Sequence, residues 1–588
     1  VHQKGAIRCY DLEKKRFVHQ LDFLKDQLKP DDRVVLKILD NGDFWLMWDR
    51  GVGYYDVYNK KWNQISGIQL GHYSWFTSMD VDKGGNAWVG TVIDGFYVID
   101  MHNFSVTRTL DIPLLSGNTV RNGIQSIYCD RENNSVWIGL YNQGMCYYHP
   151  SMNKIVLYNK KMINGDWKGE EIRCMLETSR GEILMGTTQG VYRYEPETKS
   201  MNRFYHEFSQ KNCRVLYEDS KKRVWVGTYH DGLYCIDHGK VQSYDYPDTD
   251  YQNELDFSNI RVMVEDSSGR LWVSIYGGVG LFNPENGQIN LLSEQFPELK
   301  KYKVANALAI DNQSRLVVGS DNGLYIYDPA TNKIWIPEQD GQANSIFNQG
   351  SIKYNQILKD HEGTLWFATQ YGLSVLTYNG QSYTLGKEEG LSKAILNVVE
   401  DKNHDIWIST VTSIYKIKVD RRADKYSFHV ISCLSEDEIR QDDLYSFPSL
   451  MTRDNQLFLG LMNGFIAFSP ENMIDNQCLN RPLFTSFRLF NVPVVSGETY
   501  NGRVLFDKAL SYSGEVQLKY DENYITLEFS GLNFPNPSQT SFRYQLEGFD
   551  KEWTETLFEN GQGRVVYNNL PSGEYIFRVS AAGNDRIW

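Results

Sequence analysis

An all-β chain built from repeated four-stranded sheets is the fold class this sequence predicts, and three observations predict it. One short pattern recurs at intervals of about 40–50 residues, the period of propeller blades. Each copy holds an apolar strand, an acidic turn, a Trp-x-Gly strand, another Gly and an aromatic strand, clearest in Arg214–Asp237 and Ile260–Ser274. Aromatic residues make up 14% of the 588, with 38 Tyr, against 23% charged residues, which suits aromatic-rich sheets better than coiled coil or disorder.

Aligned on the Trp position, ten units begin their second strands at Trp45, Trp88, Trp137, Leu184, Trp225, Trp272, Val317, Trp366, Trp407 and Phe458. First strands such as Ile357-Leu358 and Val398-Val399 read as buried inner strands. The Asp six residues before the Trp (Asp82, Asp219, Asp266, Asp360, Asp401) supplies the hydrogen bond of a tight turn. The Trp packs between twisted sheets. The small residue two places on (Gly90, Gly139, Gly227, Ala368) and the later Gly (Gly95, Gly144, Gly232, Gly372) lead into the third strand. These Asp and Gly lie one per unit, so no calcium loop converges.

Rings close with about 4–8 units, so ten units require two rings. The expected domains are the C-terminal blades of a truncated first propeller over 1–166 and a seven-bladed second propeller over 167–478. Residues 479–588 then form an immunoglobulin- or fibronectin-like β-sandwich, read from period-2 strands and turn clusters in Val516–Trp553 and Val565–Trp588. Tyr524, Tyr544, Tyr567 and Tyr575 are its core and corner tyrosines. The opening Gly5–Phe17 reads as half a repeat and Trp588 falls in a strand-like run, so a piece of a longer protein is expected.

A net charge of −14 argues against a nucleic-acid partner, and basic triplets such as Lys221-Lys222-Arg223 read as solvated hairpin tips. The eight Cys form no CxxC pair and read as small buried hydrophobes. No run of about 18 apolar residues occurs to suggest a transmembrane helix. No cofactor or metal motif appears: His361 and His404 lie in separate turns, and HExxH, GxSxG and phosphate-loop patterns are absent.

The repeats, together with RYQLEGFDKEW (543–553) and LPSGEYIFRVSAAGND (570–585), resemble the periplasmic sensor regions of Bacteroidetes hybrid two-component histidine kinases. There, propeller repeats precede a tyrosine-rich Y_Y_Y module. The resemblance spans essentially the whole chain; the units with Leu184, Val317 and Phe458 depart from the Trp pattern but stay apolar. It implies two seven-bladed rings, a downstream membrane helix, a kinase core and homodimeric action. It also implies an oligosaccharide signal controlling glycan-utilisation genes, with catalysis absent from the residues in hand.

Sugar recognition uses aromatic faces and planar amides or carboxylates. Loop positions offering them are Tyr141, Tyr229 and Tyr276, each four residues after its Trp, with Asn142, Gln143, His230, Asp231, Gln370 and Tyr371 nearby. The loop Tyr246–Ser258, with Asp248, Asp250 and Glu254, is read as overhanging the same face. Overall acidity slightly favours a neutral glycan. The competing readings are a propeller-based lyase or hydrolase, which needs two facing carboxylates, the same sensor joined to a non-kinase output, and an interaction scaffold.

Overall fold

In a computed structural model the chain is described from His2 to Trp588. The exceptions are residues 4–5, 22–27, 30, 50, 69, 110–122, 133, 142–143, 150–154, 247–254, 338–351, 387–388, 390, 392, 423–424, 435–447, 474–480, 535–536, 538–539, 558–560 and 584–587. The architecture is all-β and multi-sheet, of the kind found in propeller- and sandwich-type domains. It divides into two compact units, Val1–Met152 with Asn533–Asn536, and Asn153–Leu532 with Pro537–Trp588.

In the first unit, a three-stranded sheet (His2–Gln3, Ala6–Asp11, Arg16–Leu21) is followed by four-stranded sheets over Val34–Gln64 and Phe76–Thr109 and a three-stranded one over Ile124–Tyr148. Trp45, Met47, Val89 and Tyr97 fill a common core between the two four-stranded sheets.

The second unit repeats the plan. Antiparallel sheets follow one another over Ile172–Arg203, Cys213–Tyr244, Asp256–Leu291, Ala305–Trp335, Tyr354–Leu385 and Asn397–Leu434. A seventh, Ser449–Phe468, takes its fourth strand from Val156–Asn159, paired antiparallel with Gly464–Phe468. Second strands such as Val224–Thr228, Leu365–Thr369 and Leu457–Leu461 are buried along their whole length, because neighbouring sheets cover both faces.

All ten aligned positions fall in second strands. The Asp does more than shape the turn: its Oδ2 accepts the indole Nε1–H six residues on, at 2.8–3.0 Å for Trp88, Trp225, Trp272, Trp366 and Trp407. Arg223, read from the sequence as solvated, instead donates through Nε to Asp219 and lies over Trp225, because its stem packs along the indole. The Gly opening the third strand has a real steric cause at Gly232, where φ is +79° and a Cβ would meet Tyr244 O at 2.5 Å. Cys129, Cys146, Cys174, Cys213, Cys235 and Cys433 are buried and free, as the sequence suggests; Cys478 and the side chain of Cys9 lie outside the described part.

The first strands of five sheets carry a one-residue bulge at a fixed point. Pairing steps from Cys213↔Thr228 to Val215↔Gly227, leaving Arg214 between, and the same shift leaves out Arg173, Arg261, Asn306 and Asn355. A bulge re-aims the extra side chain, so these five polar residues share one edge of five successive sheets.

After Leu483, two sheets (Leu483–Leu489 with Val492–Pro493, Ile525–Ser530 and Gln562–Tyr567; Ser541–Glu547 with Thr554–Leu557 and Ile576–Ala582) enclose Phe487, Leu527, Phe529, Phe542 and Tyr567. Tyr567 is a core residue whose OH donates to Asp550, and Tyr575 is a corner residue donating to Pro571 O.

Candidate functional site

The bulge edge is where the second unit gathers its polar loop chemistry. Tyr229 follows the second strand of the Cys213–Tyr244 sheet, and its N–H is fixed on Asn212 O at 2.8 Å. The Arg214 guanidinium lies 4.4 Å from the Tyr229 ring centroid on the same sheet. His230 packs against Tyr229 with centroids 3.9 Å apart, and its Nδ1 lies 2.8 Å from Oδ2 of buried Asp256. Asp256 is held by the Ser258 N–H and hydroxyl, so the imidazole is oriented from beneath. Asp231 accepts from Lys211 at 3.2 Å.

One sheet further, Arg261 donates through Nη2 to Asn306 Oδ1 at 3.1 Å, and Asn306 donates to Asp321 at 2.7 Å. Arg173 pairs with Glu171 at 2.8 Å. Burial first, and then the positive fields of Arg261 and Arg173, bring the Arg214 pKa down to about 10. Burial lowers that of Arg261, opposed by Asp321, Tyr229 and Tyr276. Arg214 thus lies in the field of both other arginines and of Tyr229, and Arg261 in that of Tyr229 and Tyr276.

Among the residues singled out from sequence, Tyr229, His230 and Tyr276 meet at this arginine-lined edge, with Asp231 beside them. Tyr229 and Tyr276 are each about a third exposed (36% and 37%). Gln370 and exposed Tyr371 stand at the equivalent turn of the Tyr354–Leu385 sheet, two sheets beyond Tyr276. Exposed Tyr141 belongs to the first unit. Asn142, Gln143 and, in the long loop, Asp248, Asp250 and Glu254 lie outside the described residues.

Sequence reading missed Arg173, Arg214 and Arg261, having weighed basic residues only through the net charge and as solvated hairpin tips. The signal was available: an Arg directly after a buried residue at the same point of the first strand, in three consecutive repeats (Ile172-Arg173, Cys213-Arg214, Ile260-Arg261).

The sequence also kept His361 and His404 apart. The structure joins them: the rings stack at 3.5 Å, and each Nδ1 contacts Glu400 Oε1. Their ligand-capable atoms and that of Glu400 lie within 4.8 Å of one another. The same geometry without a histidine recurs elsewhere, with Ser179 bound to Glu218 and Ser220 to Glu265 through N–H and hydroxyl. The trio thus occupies a recurrent clasp between neighbouring sheets.

Residues 533–588 match the Y_Y_Y domain family. The extracellular domain of the hybrid two-component system BT3049 from B. thetaiotaomicron is superposable with a TM-score of 0.69 and 20% identity, covering 100% of this chain and 74% of that one. The extracellular domain of BT4673 from B. thetaiotaomicron aligns over 99% of this chain and 76% of that one at 20% identity, with a TM-score of 0.43. A curated relative, Histidine kinase P4 of Formosa agariphila, is 21% identical over 195 residues, which is 33% of this chain and 13% of that protein. The chain thus spans a small part of that kinase's length. The chain matches the Y_Y_Y domain over residues 533–588 and shares its fold with the extracellular domain of BT3049.

Proposed function

We propose that this chain is the extracytoplasmic ligand-sensing part of a transmembrane hybrid two-component histidine kinase. The observation that carries the reading is the fold shared with the BT3049 extracellular domain along the whole chain, joined to a C-terminal Y_Y_Y match. In this reading the second unit is a seven-bladed propeller, its last blade completed by Val156–Asn159, and the sheets before it are blades of another ring. The working domain division is 1–166, 167–478 and 479–588, with the strand Val156–Asn159 crossing into the second ring.

The ligand is an oligosaccharide held by loop residues at blade edges, with Tyr229, His230, Asp231, Tyr276, Gln370 and Tyr371 in the second ring and Tyr141, Asn142 and Gln143 in the first. The Y_Y_Y sandwich, nearest the membrane, passes the change to a homodimeric kinase, and the output is regulation of glycan-utilisation genes. The chain itself binds and does not catalyse.

A thermal-shift screen against a broad oligosaccharide library tests this. A ligand that binds the native state adds RT ln(1 + [L]/Kd) to its stability, about 2.7 kcal/mol at a hundredfold excess over Kd. At least one glycan is expected to raise the Tm. A library that leaves the Tm unmoved removes the proposal's support.

A further inference from the structure

The overall acidity of the chain hides a local reversal of charge. Arg173, Arg214 and Arg261 occupy the same bulge position on the first strands of three consecutive sheets. Their Nε atoms are all buried, and none has a hydrogen-bond partner among the described residues. Arg173 has a carboxylate, Glu171. Within salt-bridge distance, the described residues give Arg214 no carboxylate; its neighbour is the face of Tyr229. Arg261 likewise contacts a neutral amide, Asn306. Nearby acids are otherwise engaged: Asp231 with Lys211, Asp256 with His230, and Asp321 with Lys353 and Asn306.

Gathering partly buried like charges costs stability, and buried donors left unpaired cost more. An oxyanion at the outer nitrogens of these guanidinium groups offsets the gathered charge. Guanidinium forks match the two oxygens of a carboxylate or sulfate, so an oxyanion fits where a neutral hydroxyl would leave the charges uncompensated. Tyr229, which Arg214 covers on one face, and Tyr276 each keep about a third of their surface exposed beside the arginines, and exposed aromatic carbon suits the apolar face of a sugar.

We propose that Arg173, Arg214 and Arg261 form an oxyanion-binding arc that takes the carboxylate or sulfate of an acidic saccharide, with Tyr229 and Tyr276 contacting its rings. This rests on the ligand-sensing reading and specifies its ligand class. It reverses the neutral-glycan preference drawn from net charge, because binding responds to the local field rather than the sum over the chain.

The test is calorimetric titration, with thermal shift, of the 588-residue chain against trigalacturonic acid, a disulfated disaccharide, neutral galactotriose and inorganic sulfate at one ionic strength. One or both acidic saccharides are expected to bind at least about tenfold more tightly than galactotriose and sulfate, and which one binds separates carboxylate from sulfate recognition. Arg214→Gln and Arg261→Gln should each weaken that binding about tenfold or more. Arg214→Lys, which keeps charge but not the fork, should fall between. Arg193→Gln, outside the arc, should bind as the parent does, and circular dichroism verifies that each variant folds.

Galactotriose binding as tightly as the acidic sugars, or unchanged acidic-sugar affinity in folded Arg214→Gln and Arg261→Gln, overturns the arc while sensing survives. Inorganic sulfate matching the best saccharide overturns the sugar-specific part. If none of these and no member of a broad neutral and acidic library binds, the sensing proposal falls with it.

Discussion

Trp272 donates its indole Nε1–H to Oδ2 of Asp266 at 3.0 Å, while Oδ1 of the same carboxylate accepts the N–H groups of Ser268 and Arg270. One side chain thereby shapes the hairpin and anchors the ring that packs against the next sheet. The pattern follows its own chemistry where the Trp is missing. Leu184 and Phe458 offer no donor, and the acid is replaced by Thr178 and Thr452, whose hydroxyls serve the turn alone. Val317 keeps Asp311, and there Arg315 Nε takes the second oxygen at 2.7 Å.

Asp266→Ala should therefore be among the costlier single substitutions in the second unit. It strands the buried indole N–H and two turn N–H groups and frees Arg270. A loss of about 3 kcal/mol is expected from urea unfolding, with Asp266→Asn losing less because one acceptor remains. A loss below about 1 kcal/mol would mean that the Trp272 packing, not the carboxylate, holds the hairpin.

The same carboxylate sets a pH dependence. Burial acts to raise the Asp266 pKa, but hydrogen bonds from Trp272 and Arg270 outweigh it, and the net shift is below the ordinary 3.8. The folded state thus binds this proton less readily than the unfolded one. Its stabilisation is present above the unfolded value and disappears as pH falls through the folded one. The stability gap between the parent and Asp266→Asn should hold from pH 7 to about pH 5 and narrow below about pH 4. Urea midpoints across that range measure it.

What the sequence revealed was whatever lies within one repeat. The Asp-to-Trp spacing, the Gly at most third strands and the tyrosines Tyr141, Tyr229 and Tyr276 at the ends of three second strands are local, and they map onto turns or strand ends in the structure. What escaped is set by neighbouring repeats. Arg214 and Arg261 look like isolated surface charges until sheet packing brings them to one edge. His361 and Glu400 are far apart along the chain and meet only because adjacent sheets align their turns. The pairing of Val156–Asn159 with Gly464–Phe468 joins segments far apart along the chain, and no local alternation specifies such a register.

Gly227 shows how close that sheet packing is. A Cβ there would lie 2.5 Å from Val215 Cγ1 and 2.6 Å from Ile260 Cγ2, the latter on the next sheet. Gly227→Val should cost about 2–3 kcal/mol by forcing two sheets apart, and Gly227→Ala less, since Ala368 occupies the matching position in another repeat. Thermal unfolding gives the comparison. Equal midpoints for the parent and Gly227→Val would show that the neighbours shift freely.

Whether the second unit works as a closed ring can be read from how damage spreads. The Arg453 N–H donates to Glu177 at 2.8 Å and its guanidinium donates to Thr178 O and Ser179 O, tying the Ser449–Phe468 sheet to the Ile172–Arg203 sheet. Tyr158 stacks on Phe465 at 4.9 Å, so the strand from before the first sheet completes the last. In an open stack, loss of a terminal contact frays only the sheet that made it. In a ring, it loosens the sheets on both sides of the seam. Leu157→Pro breaks strand geometry at the seam and should cost about 3 kcal/mol; Arg453→Ala should cost about 1–3 kcal/mol through lost hydrogen bonds. Hydrogen exchange should then rise in both Ile172–Glu177 and Leu457–Leu461, while Leu316–Ser320 on the opposite side keeps its protection. Faster exchange confined to Leu457–Leu461 would indicate an open row of sheets, and the seven-bladed reading would have to be given up.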